Sequence, residues 1–146
     1  MSVLGTGEEW LRLLAALGAG AALGLRAELQ ARPAGLRTHI LVSVGAAMFC
    51  ITAMRAGLGS DPLRGLQGVA SGIGLVAAAT VLKGARGVTG LTTAASVWLA
   101  AALGCEAAFG SPLRAFLLGC ALALLSQLLR VAEERWMGRP RDDGAP

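Results

Sequence analysis

Five apolar runs, each close to the length of a membrane crossing, dominate this chain and leave few folds open to it. A spanning helix needs about 20 mostly apolar residues, with a range of roughly 17 to 25. The runs extend from about Glu9 to Leu25, Thr38 to Ala56, Pro62 to Leu82, Gly90 to Phe109, and Pro112 to at least Leu129. Only 15% of the 146 residues are charged and mean hydropathy is +0.64, whereas soluble domains carry roughly 25% charged residues. The runs lack the alternation of a lipid-facing barrel strand. The expected fold is therefore all-α: a polytopic membrane bundle of about five transmembrane helices.

Two runs carry start signals. Asp61-Pro62 and Ser111-Pro112 each set a capping residue before a proline at the first helical position. The fifth helix is expected to continue to about Met137, with Trp136 near the interface, and to stop at Gly138 and Pro140. Residues 1–138 then form one transmembrane domain and residues 139–146 a disordered cytoplasmic tail. Glu8 and Glu9 precede the first run where a signal peptide would be basic, so that run is expected to be retained.

Charge sets the expected orientation. With the N-terminus outside, the inner segments hold Arg26, Arg32, Arg37, Lys83, Arg86, Arg130, Arg135, Arg139 and Arg141. The outer segments hold Arg55, Arg64 and Arg114, with Arg12, early in the first helix, left uncounted. Nine against three is a positive-inside bias that predicts N-out and C-in. The same placement accounts for the net charge of +4 without nucleic acid, since no basic cluster is interleaved with aromatics. A third run that re-enters instead of crossing would invert everything after it.

Small residues recur at four-residue spacing: Ala16-Gly20-Gly24, Gly68-Gly72, Ala100-Gly104-Ala108 and Ala115-Gly119-Ala123. Residues at i and i+4 share a helix face, and small residues let membrane helices approach closely. The ridges predict a tight bundle, a homodimer, or both. Cys50, Cys105 and Cys120 lie inside apolar runs without metal-ligand spacing and read as small buried hydrophobes.

The predicted topology places "RAELQARPAGLRTH" and "KGARGVTGLTT" at the same cytoplasmic end. A polar site there would draw on Glu28, Arg37, Thr38, His39, Thr92 and Thr93, with Ser96 close by. Arg37 reads either as an orienting charge or as a donor to a carboxylate such as Glu28. His39, one residue inside its run, reads more readily as a neutral ring bonded to a neighbouring helix than as a metal ligand, since no second His stands near it. Secondary candidates lie on the outer side. Asp61 and Arg64 form a cap with an i,i+3 ion pair, and Glu106, late in the fourth helix, has Arg114 as its natural partner. The sequence holds no nucleophile elbow, paired histidines or phosphate-binding glycine loop after a strand. No enzyme and no cofactor are expected. Mg2+ favours carboxylate and carbonyl oxygens, and the embedded acids number about one.

Three motifs together resemble the MgtC/SapB family of bacterial inner-membrane proteins: Gly24-Leu25 with Glu28 followed by "PAGLRTHILVSVGAAMF"; Asp61-Pro62 and Arg64 followed by "SGIG"; and "GLTTAASVW" followed by "AALG". They cover about Trp10 to Gly110. The chain departs at "GLRAE", where Ala27 stands at the family's usual arginine, and at "GIGLVAAA", which lacks expected glycine and aromatic features. Gln67 falls one residue early of the usual glutamine. The resemblance is to a short form, the membrane domain only. It implies a multi-pass inner (plasma) membrane protein linked to growth in low magnesium and, in pathogens, to virulence through survival inside host cells. It implies a non-enzymatic modulator that contacts another membrane protein such as ATP synthase; the alternative is a carrier for Mg2+ or another small solute. Glu28, Arg37, Thr38, Asp61, Arg64, Thr92 and Thr93 are the matching polar positions.

Overall fold

A computed structural model describes residues 7–56, 61–84 and 87–137. It contains five helices: α1 (Gly7–Leu29), α2 (Leu36–Arg55), α3 (Pro62–Ala78), α4 (Leu91–Phe109) and α5 (Pro112–Met137). Between α3 and α4 lies a small antiparallel hairpin, β1 (Leu82–Gly84) and β2 (Gly87–Thr89), which pairs Leu82 with Thr89 and Lys83 with Val88. The expected stop at Gly138 and Pro140, the tail at 139–146 and Arg86 lie outside the described residues.

Helix starts follow from local chemistry. Asp61 Oδ1 accepts from Leu63 N at 2.9 Å, and Pro62 occupies the first helical position. At α5 the Ser111 carbonyl accepts from Ala115 N at 3.0 Å. Glu8 and Glu9 lie in the first turn of α1 and Arg26 in its last, each matched to the helix dipole.

The third element is shorter than expected. It stops at Ala78 rather than reaching Leu82, because Thr80 folds back: its Oγ1 donates to Ala77 O at 2.8 Å, and Val81 N closes a turn on Ala78 O. The hairpin then returns the chain to Gly90, which has φ +84° and whose missing Cβ leaves room for the Thr80 carbonyl. Four helices are long and apolar enough to cross a membrane; α3, at 17 residues, is shorter. It nonetheless runs along nearly all of α2. Gly65 meets Ala53 near the end of α2, while Ala77 shares a buried cluster with Ala34, just before α2 starts, and with Val97. Thus α3 runs antiparallel along α2, and α2 and α4 begin at one end of the bundle, here called the histidine end.

The distribution of residue sizes is that of a membrane protein. The buried set is built mostly from small residues, with Ala16, Ala19, Ala47, Cys50, Ala100, Ala107, Ala108 and Ala115 almost inaccessible. Large apolar side chains face outward: Leu41 is 72% exposed, Phe49 70% and Leu75 78%. In water this would be an aggregating surface; in a bilayer it is the lipid face, and small residues inside bring the backbones together. α4 is central, with nine buried residues, and packs against all four other helices. α3 is peripheral. It presents a single stripe of Leu66, Val69, Ile73 and Ala77 to the bundle, the period of a one-sided helix.

Candidate functional site

The histidine end gathers the polar residues of three helices. His39 is fully buried on α2, beneath α1 and beside α4. Its Nδ1 lies 2.8 Å from Gly35 O and its Nε2 3.1 Å from Ser96 Oγ on α4. A carbonyl only accepts, so Nδ1 carries the proton. Ser96 Oγ can also donate to Thr93 O, at 2.8 Å, but its single proton serves one acceptor at a time. The neutral Nδ1–H ring satisfies both nitrogens when Ser96 donates to Nε2. A buried imidazolium here would need a counter-charge, and no carboxylate bonds it among the described residues.

One turn deeper, Ser43 Oγ donates to Ala16 O at 2.8 Å. Ser43 is fully buried where α1, α2 and α4 cross. Its backbone carbonyl fills the space over Gly104, and its Cβ lies against Gly20. Gly24 similarly accommodates His39 Cβ and Leu36 Cα. The result is a clamp: a short polar ladder flanked by glycines, joining three helices.

Glu28 has a separate task. Its Oε2 accepts from Leu36 N at 2.9 Å and satisfies a free donor at the start of α2. A Cβ at Gly35 would overlap that same oxygen, so Gly35 is the glycine this cap requires. Of the two readings of Arg37, the bond to Glu28 does not form. Residue 37 falls on the outer face of α2, where Arg37 is exposed and has no hydrogen bond or ion pair among the described residues. Thr38 is half-buried; Thr92 is exposed and Thr93 buried. The structure therefore links His39, Ser96 and Thr93 directly, sets Glu28 at the adjacent helix start, and leaves Arg37 and Thr92 on the surface of the same end.

At the opposite end the polar groups pair near the surface. Arg114 Nε donates to Glu106 Oε1 at 2.5 Å, and the pair closes over Gly110. Arg55 forms a two-point ion pair with Glu9, joining the end of α2 to the start of α1. Arg12 pairs with Glu8 one turn away at 2.6 Å. Asp61 acts as a cap, but no ion pair to Arg64 forms among the described residues. Spacing offered no route to Glu9–Arg55, which are 46 positions apart, or to the Ser43 bond. Cys50 and Cys105 are buried side by side, with Sγ atoms 3.4 Å apart, and Cys120 is half-buried.

The small-residue ridges separate into two kinds. Those of α1, α4 and α5 are consumed inside the chain: Gly20 and Gly24 against α2, Gly104 against Ser43, and Gly119 within 2.8 Å of Ala19 Cα if it bore a Cβ. Gly68 and Gly72 on α3 face open space, as does Gly45 on α2. These three border an apolar groove of about 680 Å³ between α2 and α3, with Phe49, Val69 and Ile73 among its walls.

The model of the MgtC family matches this chain over residues 13–135, which take in all five helices in whole or in most part. The chain belongs to the MgtC family. It is 36% identical to the protein MgtC of Salmonella typhimurium (strain LT2) over 125 residues, covering 86% of this chain and 54% of that one. YhiD of Escherichia coli (strain K12), whose name includes the words "magnesium transporter", is 36% identical over 107 residues, covering 68% of this chain and 50% of its own length. SrpB of Synechococcus elongatus is 40% identical over 114 residues, covering 66% and 63% respectively. The chain thus spans about half the length, or somewhat more, of these curated relatives. No solved structure matches it.

Proposed function

We propose that the protein is a non-enzymatic modulator in the bacterial inner (plasma) membrane, oriented N-out and C-in, that serves adaptation to low Mg2+ through helix contacts. Family membership supports the magnesium link. The open α2–α3 groove carries the helix-contact reading: Gly45, Gly68 and Gly72 leave room for the close backbone approach that membrane helices use. Its partner is another membrane protein, such as ATP synthase, or a second copy in a homodimer. The histidine end is the cytoplasmic polar site, where exposed Arg37 and Thr92 stand over the His39–Ser96 clamp.

The alternative is a carrier for Mg2+ or another small solute, favoured by the name of YhiD. The two differ in what they require of the groove and of the lipid bilayer. A strain lacking the protein, grown at low Mg2+, regains growth with the wild type but not with Gly72→Leu if helix contact is the function. Purified wild-type protein in liposomes then moves no Mg2+. Mg2+ flux that stops in Glu28→Ala, with Gly72→Leu fully able to restore growth, overturns the modulator in favour of the carrier.

A further inference from the structure

The contacts above leave one buried group without a partner. Arg26, in the last turn of α1, has its Nε–H buried and unbonded among the described residues. It lines a groove of about 470 Å³ between α1 and α5, together with Gln30, Gln127 and Arg130, and with Glu134 at the rim. Arg130 Nε donates to Glu134 Oε1 at 2.8 Å, so the one carboxylate lining the groove among the described residues occupies one edge of one guanidinium. Arg32, in the loop after α1, is close enough that burial and then the charges of Arg130 and Arg26 push its guanidinium below its ordinary value. Among the described residues, three arginines thus stand near one another with Glu134 as the one acid lining their groove. Like charges held together without a counter-ion are unfavourable, and a buried guanidinium donor normally finds an acceptor.

Arg26 Nε is itself covered, so what the groove offers a ligand is the rest of the guanidinium beside Arg130, and depth points to the class of that ligand. Arg26 stands 19 residues after Gly7 and Arg130 stands 18 after Pro112. Each lies about 27–29 Å along its helix at 1.5 Å per residue, close to the thickness of a hydrocarbon core of about 30 Å. In a bilayer crossed by α1 and α5 from their first turns, the groove would open near the level of the lipid phosphates. The guanidinium fork fits phosphate oxygens in a bidentate manner, and the two glutamine amides can supply further N–H donors.

We infer that the groove between α1 and α5 is a phosphate-binding site, with Arg26 and Arg130 as its principal ligands and Gln30 and Gln127 as side donors. The phosphate belongs to an anionic lipid headgroup or to a free ion at the membrane surface. This site is separate from the α2–α3 groove and does not depend on the function assigned there.

The test uses the full chain purified in detergent and titrated with phosphatidylglycerol in one arm and inorganic phosphate in the other. Binding is read by native mass spectrometry and by the shift in Tm. Saturable binding is expected in at least one arm, weakened about tenfold or more by Arg26→Gln and unchanged by Arg135→Gln, which removes the same charge from the exposed end of α5. Phosphatidylglycerol binding with that dependence assigns a lipid; phosphate binding with that dependence assigns a free ion. If Arg26→Gln fails to fold, Arg130→Gln makes the same comparison. The absence of saturable binding to the wild type in both arms overturns the site, as does equal weakening by Arg135→Gln.

Discussion

Gly104 and Gly68 look alike in sequence, each in an apolar helix with a small residue four positions away, yet the fold uses them in opposite ways. Gly104 lies on α4 beneath the Ser43 carbonyl, where an added Cβ would collide with backbone. Gly68 lies on α3, where an added Cβ would meet nothing within 4 Å. The difference comes from the neighbours. α4 is surrounded: the His39–Ser96 bond draws α2 against it, while Ser43 ties α2 to α1. α3 is docked by one stripe and leaves Gly68 and Gly72 facing outward. A small-residue ridge is therefore a capacity for close approach, and polar anchors beside it decide whether the chain spends that capacity on itself.

The largest expected effect breaks the closed side. Gly104→Ala forces the α2 backbone away and should cost about 3 kcal/mol, the upper end of ordinary overpacking, visible as a large fall in Tm or loss of monodisperse protein. Next is the anchor. His39→Ala leaves Ser96 without its ring partner and opens a void, and should cost about 1–3 kcal/mol in a denaturation series. Glu28→Ala removes the cap on α2 and should cost about 1 kcal/mol. Glu28→Gln keeps an accepting oxygen and should lose less, a ranking that thermal melts of the two variants would check.

Smallest on stability, and of opposite sign, is the open side. Gly68→Ala and Gly72→Ala should leave stability unchanged or raise it by up to about 1 kcal/mol each, read as an equal or higher Tm, since alanine is the better helix former and meets no neighbour. A destabilisation comparable to that of Gly104→Ala would erase the distinction between the two faces.

Much of the architecture was readable from the chain because membrane-length apolar runs, Asp61-Pro62 and Pro112 are local signals. α5 is helical through Met137, the last described residue, as its apolar pattern suggested up to that point. The Glu106–Arg114 pair was readable too, since both residues flank one short turn. The rest depended on non-local geometry. The Thr80 fold-back and the hairpin arise in a glycine-rich stretch whose apolar residues continue the helical pattern, so α3 looked longer than it is. Arg37 and Glu28 looked like partners by charge, but a helix start needs acceptors for its free N–H groups, and Leu36 N takes the carboxylate. Which ridges were inward could not be read from spacing at all; it follows from Ser43, whose partner lies 27 positions away on another helix.

The most direct test of the open groove as a contact surface is photo-crosslinking in native membranes from a reactive residue placed at position 72, with position 119 as the closed control. The helix-contact reading predicts a discrete intermolecular adduct from position 72, to one membrane protein or to a second copy, and none from position 119. Adducts to lipid alone from position 72, in cells whose low-Mg2+ growth the variant still supports, would contradict it.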